Sequence, residues 1–115
     1  MNYSITEKYN VAVITFKGKV MGGPKVTDFK EDLKEMIESG KTNIVADLSK
    51  VTFMNSSGLG AMISALTTLR NAGGDMKLCG ASDRIESLLI VTKLITVFDH
   101  HKTLDDAVAA YEKEA

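Results

Sequence analysis

Asp47-Leu48-Ser49-Lys50-Val51-Thr52-Phe53-Met54-Asn55-Ser56-Ser57-Gly58-Leu59-Gly60 decides the fold of this 115-residue chain. The near-continuous apolar run Ile44-Val45-Ala46-Asp47-Leu48 before it reads as a strand buried on both faces. After it, Leu59, Met62, Ile63, Leu66 and Leu69 fall at i, i+3, i+4, i+7 and i+10, the stripe of an amphipathic helix. In the quoted segment a β-type run therefore ends in paired serines, and paired glycines open the helix.

Working outward, Tyr3-Ser4-Ile5 and Val11-Ala12-Val13-Ile14-Thr15-Phe16 read as an edge strand and a central strand, with Glu7-Lys8-Tyr9-Asn10 as the hairpin turn. Gly22-Gly23-Pro24 opens a helix with Val26, Phe29, Leu33, Met36 and Ile37 on one face, ended by Ser39-Gly40. Asn71-Ala72-Gly73-Gly74-Asp75 ends the helix after the serines, and Met76-Lys77-Leu78-Cys79 is a further strand. Ser82 or Asp83 caps a third helix, with Glu86 placed to complete a capping box from Asp83. Ile95-Thr96-Val97-Phe98 reads as a short final strand. Thr103 and Asp106 form a capping box for a last helix striped by Leu104, Ala107, Val108 and Tyr111. Strands alternate with helices after an initial hairpin, which predicts one α/β domain over residues 1–115: a small mixed sheet with crossover helices.

Composition removes several function classes. The net charge is −1 with both signs interspersed, so there is no electrostatic footprint for nucleic acid or an anionic membrane. The single cysteine, Cys79, excludes an intrachain disulfide and reads as a small buried hydrophobe. No apolar run approaches the ~20 residues that span a bilayer. The N-terminal residues lack the pattern of a signal peptide, and the expectation is a cytoplasmic protein without membrane insertion.

Two hydroxyls at the start of a helix can cap it, act as a nucleophile or carry a phosphate. Capping needs one hydroxyl and stabilises a helix by about 1 kcal/mol. Two glycines in the first turn instead cost ~1 kcal/mol each against alanine, which makes sense where another group must come close. Free amides and the positive end of the helix dipole favour an anion there. The segment Met54-Asn55-Ser56-Ser57-Gly58 lacks the first glycine of a nucleophile elbow, and no Walker lysine follows Gly60. His100-His101 reads as a solvated loop rather than a metal site, since no further Cys/His cluster accompanies it. Neither a catalytic residue, a metal nor a cofactor is expected.

From Asp47 through Gly60, with the order of elements and the Gly73-Gly74 turn, the chain resembles the STAS domain family, in particular the bacterial anti-sigma factor antagonists. The resemblance implies a mixed sheet with helices mainly on one face. It implies a binding module, not an enzyme, that docks an anti-sigma factor with serine kinase activity and so regulates sigma-dependent transcription. It further implies phosphorylation of Ser56, with Ser57 as the alternative acceptor, dissociation of the phosphorylated form, and restoration by a metal-dependent serine phosphatase. The implied docking surface comprises Asn55, Ser56, Ser57, Gly58, Leu59 and Gly60, with Leu59 supplying apolar contact. Lys19, Val20, Met21, Gly22 and Gly23 complete it. Where the family usually carries aspartate before the serine, this chain has Asn55, and the acidic residue common after the second strand is missing. The alternative within the same resemblance is a scaffold or transport-associated STAS module that no kinase modifies.

Overall fold

A computed structural model describes residues 1–114. Its elements are β1 (Asn2–Lys8), β2 (Val11–Val20), α1 (Lys25–Glu38), β3 (Asn43–Met54), α2 (Ser56–Asn71), β4 (Asp75–Cys79), α3 (Asp83–Val91), a 3-10 turn (Leu94–Thr96), β5 (Asp99–His101) and α4 (Leu104–Glu114). The five strands form one sheet in the order β1-β2-β3-β4-β5, with β1 antiparallel to β2 and every later pairing parallel. The mixed α/β sheet read from the sequence is the one observed.

Alternation along the strands sorts two cores. Ala12, Ile14 and Phe16 of β2 join Phe29, Leu33, Met62, Leu66, Ile85 and Leu89 beneath α1, α2 and α3. Val11, Val13, Val45 and Cys79 face the other way, covered by Ala107, Val108 and Tyr111 of α4. Three helices thus lie on one face and one on the other. The Tyr111 hydroxyl donates to the Ile44 carbonyl (2.6 Å) and accepts from the Ile44 amide (3.2 Å), fixing α4 to β3. At the β1 edge of the sheet, the Tyr3 ring meets Phe16 and Phe29 at 5.9 and 5.5 Å, and its hydroxyl donates to Asp32. Burial and the neighbouring Asp32 carboxylate push the Tyr3 phenol up. No helix among the described residues is long and apolar enough to cross a membrane.

β2, β3 and the final strand differ from the sequence reading, and the start of α3 settles a choice it left open. β3 continues past Leu48 to Met54, and β2 past Phe16 to Val20. The polar run Asp47-Leu48-Ser49-Lys50 does not end the strand. The Asp47 carboxylate accepts from the Ser49 amide at 3.0 Å, and the pairing shifts between Thr15 and Lys17 and again between Gly18 and Lys19, as bulges do. The final strand is Asp99–His101, not Ile95–Phe98. Lys93 turns left-handed (φ 63°), Leu94–Thr96 coils, and Phe98 drops into the core at 4% exposure. Finally, Ser82 rather than Asp83 caps α3, its hydroxyl accepting from the Ile85 amide at 3.3 Å, so no capping box runs from Asp83 to Glu86.

Candidate functional site: the serine turn at the start of α2

The two extended strands carry the serines clear of the rest of the sheet. β4 pairs with β3 only as far as Asp47↔Cys79, whereas β2 follows β3 to Val20↔Met54. The chain then turns at Asn55, whose backbone is extended (φ −102°, ψ 177°), and α2 begins at Ser56. The helix cap is Asn55, not a serine. Its Oδ1 accepts from the Gly58 amide at 2.8 Å, its carbonyl accepts from the Leu59 amide at 2.9 Å, and its own amide donates to the Val20 carbonyl at 3.3 Å. Capping therefore leaves both serine hydroxyls unused. Ser56 and Ser57 are exposed, and neither hydroxyl makes a hydrogen bond among the described residues.

The glycines divide into two kinds. A Cβ on Gly58 would lie 2.1 Å from the Val20 carbonyl oxygen, and one on Gly22 would lie 2.5 Å from Ser57 Cβ. These two let the end of β2 press against the first turn of α2. Gly60 has nothing within 4 Å of such a Cβ and faces open space. The close approach inferred from the sequence is thus intramolecular at Gly58, and only Gly60 leaves room on the outer surface.

The same packing corrects part of the expected docking surface. Leu59 is 7% exposed and Val20 fully buried, both in the main core with Met54 and Met62, and Gly58 is buried beneath Val20. Leu59 offers no outward apolar contact, because the stripe that continues through Met62 and Leu66 points it at the sheet. What remains outward is Ser56, Ser57 and Gly60, with Lys19, Met21 and Gly23 exposed and Gly22 and Asn55 half-buried beside them. Phe53, 37% exposed, was not expected at this end. It lines a cleft of about 340 Å³ with Leu88 and Val91 of α3, and Val91 is 80% exposed. Strict alternation would put Phe53 on the inward face with Val51; the register shift between Gly18↔Val51 and Lys19↔Phe53 turns it outward and leaves Met54 in the core, and no local sequence signal marks that shift.

Electrostatically the turn is bare. The first turn of α2 holds no acidic residue, so the positive end of the helix dipole faces solvent without a counter-charge on its own element. His100 and His101 stand in β5, not in a solvated loop, and are partly buried. His101 Nε2 lies 3.1 Å from Asp99 Oδ2. The registers put His101 beside Cys79, and Cys79 beside Asp47. Asp47 precedes Asn55 by eight residues of strand, roughly 25 Å. The fold does not bring these imidazoles to the serines. Cys79 is fully enclosed; burial, reinforced by the Asp47 carboxylate, pushes its thiol up to about 12.

Comparison with known proteins agrees with this architecture. The family profile described as the STAS domain matches residues 2–107. The anti-sigma-B factor antagonist of Staphylococcus aureus is 33% identical over 69 residues, 60% of this chain and 64% of that relative, so the match spans less than two thirds of the relative's length. An anti-sigma factor antagonist from Mycobacterium paratuberculosis superposes with a TM-score of 0.79 at 21% identity, over 95% of this chain and 92% of that one. The unphosphorylated form of the antagonist SpoIIAA gives 0.74 at 16% identity, over 99% of this chain and 100% of that one. Its phosphorylated form, from Bacillus, gives 0.72 at 19%, over 96% and 99%.

Proposed function

The chain belongs to the STAS domain family, and on that footing we propose that it is an anti-sigma factor antagonist whose docking is switched by phosphorylation of Ser56. Unmodified, it binds an anti-sigma factor that is itself a serine kinase, through the exposed turn of Ser56, Ser57 and Gly60 and the Lys19–Gly23 segment beside it. The single observation that carries this reading is the Ser56 hydroxyl, exposed and without a hydrogen-bond partner at the head of α2 while Asn55 does the capping.

That arrangement suits a reversible ester. A phosphate on Ser56 adds nearly two negative charges beside free helix amides and an uncompensated dipole end, which favour it. The fold tolerates the group, since no core residue or cap depends on that hydroxyl. A partner surface pressed onto the turn would have to desolvate the dianion. A difference of ~3 kcal/mol, more than a hundredfold in affinity, makes a working switch. A metal-dependent serine phosphatase restores the free hydroxyl.

Incubation with the cognate kinase and ATP, followed by peptide mapping, tests the acceptor. Phosphate is expected on Ser56, and phosphate found only away from Ser56 and Ser57 overturns the assignment. A Ser56→Asp protein is expected to lose its partner. If it binds as the wild type does, the chain is instead an unswitched scaffold or transport-associated module.

A further inference from the structure

A second concave surface lies away from the serine turn, between the flanks of α1 and α2. It is an open groove of about 600 Å³, within the range of small-molecule sites. Phe29, Leu33 and Ile37, four residues apart on α1, floor one side over about 12 Å of helix. The α2 side presents small residues, Ala61, Ala65 and Thr68. With side chains this short, α1 has room to close on α2, yet the groove stays open.

Its polar rim has a definite polarity. Lys30 and Lys34 stand one turn apart at the groove, both exposed, and neither makes an ion pair among the described residues. Glu38 closes the far end of the lysine stripe, so an anionic head is favoured at Lys30 and Lys34 and disfavoured beyond them.

We propose that this groove binds a single-chain carboxylate amphiphile of medium length, with its head held by Lys30 and Lys34 and its chain lying over Phe29, Leu33 and Ile37. Unpaired cations beside an apolar trough of this length complement a carboxylate on an alkyl tail; a peptide helix would need a wider, flatter apolar face. The site is independent of Ser56, so its failure would leave the phosphorylation switch untouched.

Titrating the 115-residue protein with decanoate below its micelle concentration, followed by amide NMR, tests the proposal. Saturable shifts are expected along α1 and α2. A Lys30→Glu/Lys34→Glu protein, altered only at exposed positions, is expected to bind at least tenfold more weakly, and a Thr68→Leu protein with its groove filled is expected to lose the response. Decyltrimethylammonium, the same tail with the opposite charge, is expected to give none. Absence of saturable shifts with decanoate, equal response to the cation, or an undiminished response in the lysine variant each overturns the proposal.

Discussion

Replacing Gly58 and Gly60 by alanine, one at a time, should move stability in opposite directions although the two positions share a helix turn. In an open helix either change stabilises by ~1 kcal/mol, because glycine is the poorer helix former. Gly60 meets that condition, and Gly60→Ala is expected to gain about 0.5–1 kcal/mol. At Gly58 the added methyl would lie 2.1 Å from the Val20 carbonyl oxygen and 2.7 Å from its carbon. Those atoms are backbone, so no rotamer change relieves the overlap, and either β2 or α2 must shift. Overpacking of this kind costs about 1–3 kcal/mol. The shift also weakens the 3.3 Å bond from the Asn55 amide to Val20, worth about 1 kcal/mol. Net of the propensity gain, Gly58→Ala should lose roughly 2 kcal/mol, leaving the two variants about 3 kcal/mol apart, on the order of 10 °C in melting temperature. Urea unfolding read by circular dichroism measures this directly. A Gly58→Ala protein as stable as the wild type would refute the claimed packing of the β2 end on α2, and the site's construction with it.

Asn55→Ala removes the α2 cap and should cost about 1 kcal/mol, while Asn55→Asp keeps the acceptor, adds a charge at the dipole's positive end and should stabilise by about 0.5 kcal/mol at low salt; urea midpoints compare them. Lys77 is 1% exposed, with Asp99 at 2.7 Å and Asp75 at 3.8 Å. The Lys77 ammonium foremost, opposed by burial and assisted by His101, holds the Asp99 carboxyl below its ordinary range. The pair's stabilisation is therefore complete above about pH 4 and lost as the pH falls through the lowered folded value, so Asp99→Asn should flatten the acid limb of a stability–pH curve. Cys79, fully enclosed and with its thiol near 12, should resist a thiol-reactive disulfide reagent at pH 8 until urea unfolds the chain; rapid labelling of the native protein contradicts that burial.

Much of this molecule is legible in its sequence, because local pattern and tertiary demand agree over most of it. The apolar stripes of α1, α2 and α4 and the run Ile44–Leu48 each have one buried solution, and the order of strands and helices leaves few topologies. The misreadings arise where a local signal has two physical meanings. Asp47, Ser49 and Lys50 interrupt the apolar run that marks the strand, but the register only shifts there, as at a bulge, and β2 keeps pairing as far as Met54. Ile95–Phe98 has the β-branched composition of a strand, yet only Phe98 is buried, and the left-handed Lys93 sets a coil in front of it. The serine turn itself was found, but not its internal division of labour. Which glycine admits the chain's own backbone and which faces outward depends on where β2 ends, and that is a long-range fact.

That division bears on how a switch is built without endangering the fold. Were a serine the cap, esterification would replace the acceptor that starts α2, and the stability of the helix would change with each modification. Here Asn55 supplies the cap, Gly58 admits Val20, and Leu59 anchors the first turn in the core at 7% exposure. Ser56 is left between these fixed points with no structural duty among the described residues. A charge added to it can change what the surface will accept while the backbone stays where three independent contacts hold it. The Ser56→Asp protein should accordingly retain the wild-type urea midpoint to within about 0.5 kcal/mol even where it loses its partner. A variant that lost both together would mean that the hydroxyl supports the helix, and the separation between fold and switch would fail.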